Sequence, residues 1–293
     1  MCFLRVGTVR LVAGLLVLAL LAGCSANRFL YNRAETFVRW AVDDYVDLTS
    51  EQQQRFDDNL DVLLDWHRRA ELPQYRDFIF LSIAALDDGV TIDEAIVISE
   101  AIEQAVNRLQ AEFIELLLLT GADLSEQQIL DFLAELDRQQ QEFAEERLVR
   151  DEEAYAADAA KSLEGLAKRL LGRLDEAQQS LIASRSKELM RIDRLWYDDR
   201  TVWGATLRTI LETRAPDWPS DVRALSEARS SARTPAYVAG IDHNGDVILE
   251  LLVDIINGRT ERQDRKMRRF LNGLIADIDA LTIGDVAEAL VVE

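Results

Sequence analysis

The sequence predicts an all-α protein, a multi-helix bundle of long antiparallel helices without a sheet. Three observations predict it. Apolar residues recur at helical spacing along almost the whole chain, and no run alternates at period two. Only 4 Pro and 13 Gly occur in 293 residues, too few for the turns of a many-stranded β architecture. Hydrophobic residues make up 48% of the chain, so a core can form despite a net charge of −20.

The elements follow in order. Residues 28–42 carry Phe29, Leu30, Phe37, Val38, Trp40 and Val42 with Arg28, Arg33 and Arg39. That is a locally basic amphipathic helix, either lying on lipid headgroups or packed as the first helix of the bundle. Residues 50–71 set Phe56, Leu60, Leu63, Leu64 and His67 near one face, and Pro73 sits where a new helix over 74–88 can start. Thr91-Ile92-Asp93-Glu94 is a capping box opening a helix to about Leu119, closed by Thr120-Gly121. A long charged helix over 125–157 comes next, then helices over 159–171 and 175–213. Two prolines in Ala215-Pro216-Asp217-Trp218-Pro219 force a break. A short helix over 220–231, a second break at Pro235 and a loop over Gly240–Gly245 lead to a final hairpin of 246–257 and 260–280.

The N-terminus supplies an address. Arg5 and Arg10 precede an apolar run, Leu11 to Leu21, that is short for a membrane span but suits a signal peptide. It ends in Leu21-Ala22-Gly23-Cys24, which resembles a bacterial lipobox. The resemblance implies that residues 1–23 are removed and that Cys24 carries acyl chains. Ser25, not Asp, follows, which in lipoproteins implies export to the outer membrane, facing the periplasm. Removing Arg5 and Arg10 from 33 basic residues leaves 31 against 53 acidic ones, a mature charge of −22. The expected organisation is a signal peptide (1–23), a lipidated tether (24–28), a main helical bundle (29–214) and C-terminal helices (215–293) packed on the same domain.

Composition also excludes functions. The acidity opposes a nucleic-acid partner, whose affinity rests on neutralising phosphates. Two Cys, one of them in the signal and the other lipidated, and two His leave no Cys/His zinc site and no thiol nucleophile. No metal and no cofactor are expected.

Three predicted helix starts share a pattern: Leu48-Thr49-Ser50-Glu51-Gln52, Leu124-Ser125-Glu126-Gln127-Gln128 and Leu174-Asp175-Glu176-Ala177-Gln178. Read on the residues alone, each is a capping box: Thr49, Ser125 or Asp175 takes a first-turn N–H, and Gln52, Gln128 or Gln178 reaches back. The pattern also resembles the LTxxQ motif of helical periplasmic proteins of the Spy and CpxP type, which implies a chaperone-like role. A wider string, Tyr31-Asn32-Arg33, Trp40, Asp43 to Thr49, Gln52 and Trp66-His67-Arg68-Arg69-Ala70-Glu71-Leu72-Pro73-Gln74-Tyr75, is similar to a proteobacterial lipoprotein family known only as a domain of unknown function. That likeness is best over 24–80 and fainter over Leu170–Gln178. It implies a location and a helical fold, and no activity.

The candidate chemistry is sparse. His67 would need an orienting carboxylate and a nucleophile to act in catalysis. Glu71 stands one turn away, but no Gly-x-Ser-x-Gly elbow exists, so a hydrogen-bonded His at a packing seam competes with that role. Arg68, Arg69 and Glu71 are expected in an ion network, with Asp43, Asp44 and Asp47 as partners. Asp242-His243-Asn244-Gly245-Asp246 invites calcium, but Val247 and Val253 occupy the positions where the cation loop needs Gly and a carboxylate. Arg259, Arg262, Arg265, Lys266, Arg268 and Arg269 against Glu261 and Asp264 give +4 within 11 residues. This patch meets either anionic headgroups or an acidic partner, or the protein's own acids.

The expectation is therefore a non-enzymatic lipoprotein held to the membrane by its N-terminal lipid. It binds an envelope partner through helical surfaces; a lipid-surface-binding protein is the alternative, and an unrecognised hydrolase the third. The contact residues expected are Arg28, Phe29, Arg33, Arg39, Trp40, Arg262, Arg265, Lys266, Arg268 and Arg269. The oligomeric state is left open.

Overall fold

The computed structural model describes residue 28 and residues 31–289, with side chains to residue 282. Cys24 and Phe29 lie outside the described residues. Every described element is helical, and the described chain holds no strand.

Helix α1 (Ala34–Asp43) packs on α2 (Ser50–Trp66) through Ala34, Val38 and Val42, so this segment is part of the bundle. Its outer face leaves Phe37 and Trp40 exposed, stacked edge to face at 5.7 Å. After α2 the chain does not stop. It widens into a π-helical turn, His67–Glu71, and runs on as α3 (Leu72–Asp88). Pro73 is the physical reason: it has no N–H, and its ring crowds the carbonyl four residues back. The wider turn absorbs this, with Leu72 N–H donating to His67 O five residues back.

Gly89, at φ 91°, ends α3. The Thr91 box opens α4 (Ile92–Ala122), at 31 residues the longest helix. The helix expected over 125–157 is two helices. After α5 (Glu126–Phe143) and a second π-turn (Ala144–Leu148), the chain restarts at α6 (Glu152–Leu171). Asp151 caps that restart by accepting the Ala154 N–H, and Glu152 and Glu153 favour the positive end of the new dipole.

The helix expected over 175–213 is likewise split into α7 (Glu176–Arg185) and α8 (Asp193–Thr213). Asn244 holds the link between them: its Oδ1 accepts the Met190 N–H at 2.7 Å and its Nδ2 donates to Met190 O at 2.8 Å. After α9 (Trp218–Glu227), helix α10 (Pro235–Asn257) runs straight through Gly240–Gly245, where a loop was expected. Gly240 is there for proximity: a Cβ on it would stand 2.7 Å from Ile192 Cγ2. Helix α11 (Glu261–Ala289) closes the described chain.

Two apolar cores result. One joins α3, α6, α7, α10 and α11, with Leu72, Ile182, Leu251 and Ile278 among its most buried members. The other joins α1, α2 and the second half of α4 through Val38, Phe56, Leu60, Leu109 and Phe113. Helix α4 passes through both, with Ala105 in the first and Leu109 in the second.

The capping boxes do more than end helices. Thr49/Gln52, Ser125/Gln128 and Asp175/Gln178 all form as the sequence predicts. They also meet in pairs. Gln52 and Gln128 exchange side-chain hydrogen bonds at 3.1 and 2.8 Å, joining the start of α2 to that of α5. Each also donates across the pair, Gln52 to Asp123 O and Gln128 to Asp47 O, both at 2.7 Å. Gln178 pairs in the same way with Gln263, at 3.3 and 2.8 Å. Gln263 belongs to a fourth box of the Gln type, Thr260-x-x-Gln263, which opens α11 and departs from the shared pattern because Arg259 stands in place of Leu.

Candidate ligand-binding cavity

Five elements converge without filling the space between them. They leave a cavity of about 210 Å³, partly open to solvent. The end of α1 contributes Val42 and Tyr45, and α5 contributes Ile129, Phe132 and Leu136. The C-terminal half of α4 lines it with Phe113, Ile114, Leu117 and Leu118. Helix α8 adds Arg200, Trp203, Leu207 and Leu211, and α9 with the turn after it covers one side with Trp218, Val222, Ser226 and Arg229.

The wall is apolar apart from a few polar groups, and among the described residues it carries three arginines and no carboxylate. Acidic residues outnumber basic ones by 53 to 33 in this chain, so the wall inverts the chain's own charge. Two of the arginines are engaged. Arg214, in the left-handed region at φ 45°, donates to Gly121, Ala122 and Leu124 carbonyls and so caps α4. Arg229 lies 3.7 Å from Asp199 and over the Trp203 ring at 5.1 Å. Arg200 makes no hydrogen bond or ion pair among the described residues; its guanidinium rests 5.2 Å from the Trp196 ring centre. Burial holds its pKa below the ordinary guanidinium range, partly offset by Tyr45. A guanidinium still keeps its charge at neutral pH. The Trp203 Nε1–H is buried, and no described group accepts it.

Helix α9 is built like a cover. It has no fully buried residue, carries Pro219 in its first turn and lies between the breaks at Pro216 and Pro235. Arg223 latches it to α4 by a two-pronged pair with Glu115, at 2.6 and 2.7 Å. Gly121 gives room for Trp218, whose ring would stand 3.2 Å from a Cβ there. A wider depression of about 830 Å³ lies where the α3–α4 and α10–α11 links meet, but it is shallow, and both its arginines are already paired, Arg259 with Asp264 and Arg265 with Glu261.

The residues singled out in the sequence are elsewhere. Trp66, His67, Arg68, Glu71, Pro73 and Tyr75 surround the first π-turn. His67 is fully buried, and its Nδ1 is 2.9 Å from Tyr31 Oη. Burial, helped by the Arg68 charge, lowers its pKa to about 4. Its Nε2 meets no partner among the described residues. Glu71 is 1% exposed and takes Arg108 through two bonds of 2.7 and 3.0 Å, while Arg69 pairs with Asp65; Asp43, Asp44 and Asp47 are not their partners. Burial raises the Tyr75 hydroxyl above its ordinary range.

Of the basic residues, Arg28 pairs with Asp277 at 3.1 Å. Arg39 pairs with Glu35 and Asp57. Arg268 pairs with Asp87 and Asp264, Arg265 with Glu261, and Lys266 donates to Lys168 O. Arg262 and Arg269 are exposed and make no ion pair among the described residues; Arg33 is exposed as well. In the Asp242–Asp246 segment, Asn244 and His243 bond to the backbone at Met190 and Glu188. No three His, Cys, Asp or Glu side chains converge for a metal among the described residues, and none of the described helices is long and apolar enough to cross a membrane.

The cavity residues were not found from sequence. A signal existed: Arg200, Trp203, Leu207, Leu211, Arg214 and Trp218 recur every three or four residues, a stripe of aromatic, apolar and cationic groups. Only the neighbouring helices show that this stripe faces a space.

Fold and site together define an all-helical protein with a partly enclosed, cation-bearing apolar cavity. Within that class, the chain belongs to the family of unknown function DUF6279, whose model matches residues 44–237. The matched stretch begins later and extends much further than the 24–80 likeness read from the sequence, and it includes the four main walls of the cavity. No curated protein and no solved structure matches the chain.

Proposed function

We propose that this protein is a non-catalytic binding protein of the cell envelope, anchored through lipid on Cys24, whose binding site is the cavity between α4, α5, α8 and α9. The cavity carries the reading. Ligand sites are typically concave and apolar with a few placed polar groups. An engineered cavity of about 150 Å³ takes benzene, so one of about 210 Å³ has room for an apolar group of useful size. The non-catalytic part is supported by His67, the best candidate for acid–base work, which is sealed at 0% exposure away from that cavity.

The test uses the body with its lipid anchor removed and a neutral, environment-sensitive dye such as Nile red. Saturable dye binding is expected, and Ile114→Trp, which fills the cavity, removes it while leaving the helical circular dichroism unchanged. Dye binding that survives Ile114→Trp refutes the site. Loss of palmitate labelling in Cys24→Ala tests the anchor, and crosslinking in intact cells tests for an envelope partner. A second reading, contact with anionic headgroups, is favoured by exposed Arg262 and Arg269 on α11. It requires the delipidated body to pellet with anionic vesicles and to be released by salt.

A further inference from the structure

We infer that the natural occupant of the cavity is a single-chain amphiphilic carboxylate, its alkyl chain among Ile114, Leu117 and Phe132 and its head group on Arg200. The inference rests on the reading of the cavity as the binding site and adds the chemistry of what fills it. Three independent observations support it.

The first is charge. In a chain with 20 more acidic than basic residues, a site for a cation or for a neutral ligand has no reason to exclude carboxylates and collect arginines. This wall does both. An anionic ligand is the complement.

The second is which cation remains. Arg214 is spent on the carbonyls at the end of α4, and Arg229 sits beside Asp199. Arg200 alone of the three makes no hydrogen bond or ion pair among the described residues, although its planar fork suits a carboxylate in two-pronged geometry. Trp203 stands three residues on, hence on the same helix face, and offers its unaccepted Nε1–H as a further donor. A buried donor without an acceptor is unfavourable, and a ligand oxygen would satisfy it.

The third is size. If benzene fills about 150 Å³, the same filling gives about eight carbons in this cavity. That fits a medium-length chain, or the proximal part of a longer one. A two-chain lipid is too bulky.

The test measures quenching of tryptophan fluorescence by a terminally brominated decanoate, below its micellar concentration, with decanol, decylammonium and decyl phosphate as competitors. Trp218→Phe, which removes a lining tryptophan and spares the head-group donors, places the quenching at this wall. The wild type is expected to bind decanoate at least tenfold more tightly than decanol and to show no measurable competition by decylammonium. Arg200→Met is expected to bring decanoate down to the affinity of decanol while leaving decanol unchanged. Equal binding of decanoate and decanol by the wild type, or a preference that survives Arg200→Met, overturns the carboxylate assignment and leaves the cavity reading standing. Tighter binding of decyl phosphate than of decanoate overturns it in favour of a phosphate head group. Failure of both decanoate and decanol to bind the wild type overturns the cavity reading itself.

Discussion

His67 makes the stability of this protein depend on pH in a window that can be worked out from its surroundings. The residue is fully buried between Tyr31 and Tyr75, with ring centres 5.7 and 5.5 Å away. Arg68 beside it disfavours a second positive charge, and the Glu71–Arg108 pair stands one turn on. Burial is the larger cause, and the folded pKa is about 4 against 6.5 in an open chain. Above 6.5 both states are neutral and the full stability is present. As pH falls the unfolded chain takes the proton first, so stability is lost from about 6.5 down to about 4. At about 1.4 kcal/mol per pH unit, the loss is on the order of 3 kcal/mol. The perturbation is His67→Asn, which keeps an acceptor near the Tyr31 hydroxyl and cannot titrate. Urea unfolding of both proteins, followed by circular dichroism from pH 7.5 to 4, separates this residue from the many carboxylates that titrate in common. The advantage of wild type over His67→Asn is expected to shrink by about 3 kcal/mol across the window. Two curves that run parallel from pH 7 to 4 would refute the buried, neutral imidazole.

Other outcomes follow from named contacts. Gly240→Ala improves helix propensity by about 1 kcal/mol, yet its Cβ would meet Ile192 at 2.7 Å. Overpacking of that kind costs about 1–3 kcal/mol, so a net fall in the thermal midpoint is expected, and a rise would show that α10 stands further from the α7–α8 link. Gln178→Ala removes one side of the buried Gln178–Gln263 exchange and is expected to destabilise by about 1–3 kcal/mol. A double-mutant cycle with Gln263→Ala should give a coupling of at least about 0.5 kcal/mol; additive losses would mean the two boxes act separately. Glu115→Gln breaks the half-exposed latch to Arg223 and is expected to change global stability by less than about 1 kcal/mol. It should nevertheless speed hydrogen exchange in α9, and unchanged exchange there would show that apolar contacts alone hold the cover down.

Local structure was largely legible. The capping boxes at Thr49, Thr91, Ser125 and Asp175 are written in residues three apart, and all four form. The failures share a cause. Gly240 and Gly245 read as a loop, yet both lie within α10, and Gly240 is there because it answers a neighbouring residue, Ile192, 48 positions earlier in the chain. Pro73 reads as the start of a new helix, and it does stand in the first turn of α3, but the π-turn that joins α3 to α2 without a break did not show in the sequence. Glu71 reads as part of a network with nearby acids and arginines, yet its partner is Arg108, 37 residues on.

The sequence alone determined what is decided within a few residues: helices, their caps, the acidic balance and the scarcity of Cys and His. It also placed a lipobox-like string at Cys24. Tertiary structure decided which caps meet, which arginine pairs with which acid, and that the stripe from Arg200 to Trp218 faces a space instead of a core. The reason is range. A cap or a helical period is satisfied inside one turn, so its residues lie close together in the chain. A cavity is what remains when helices far apart in sequence stop short of one another, and no single stretch of residues carries that shape.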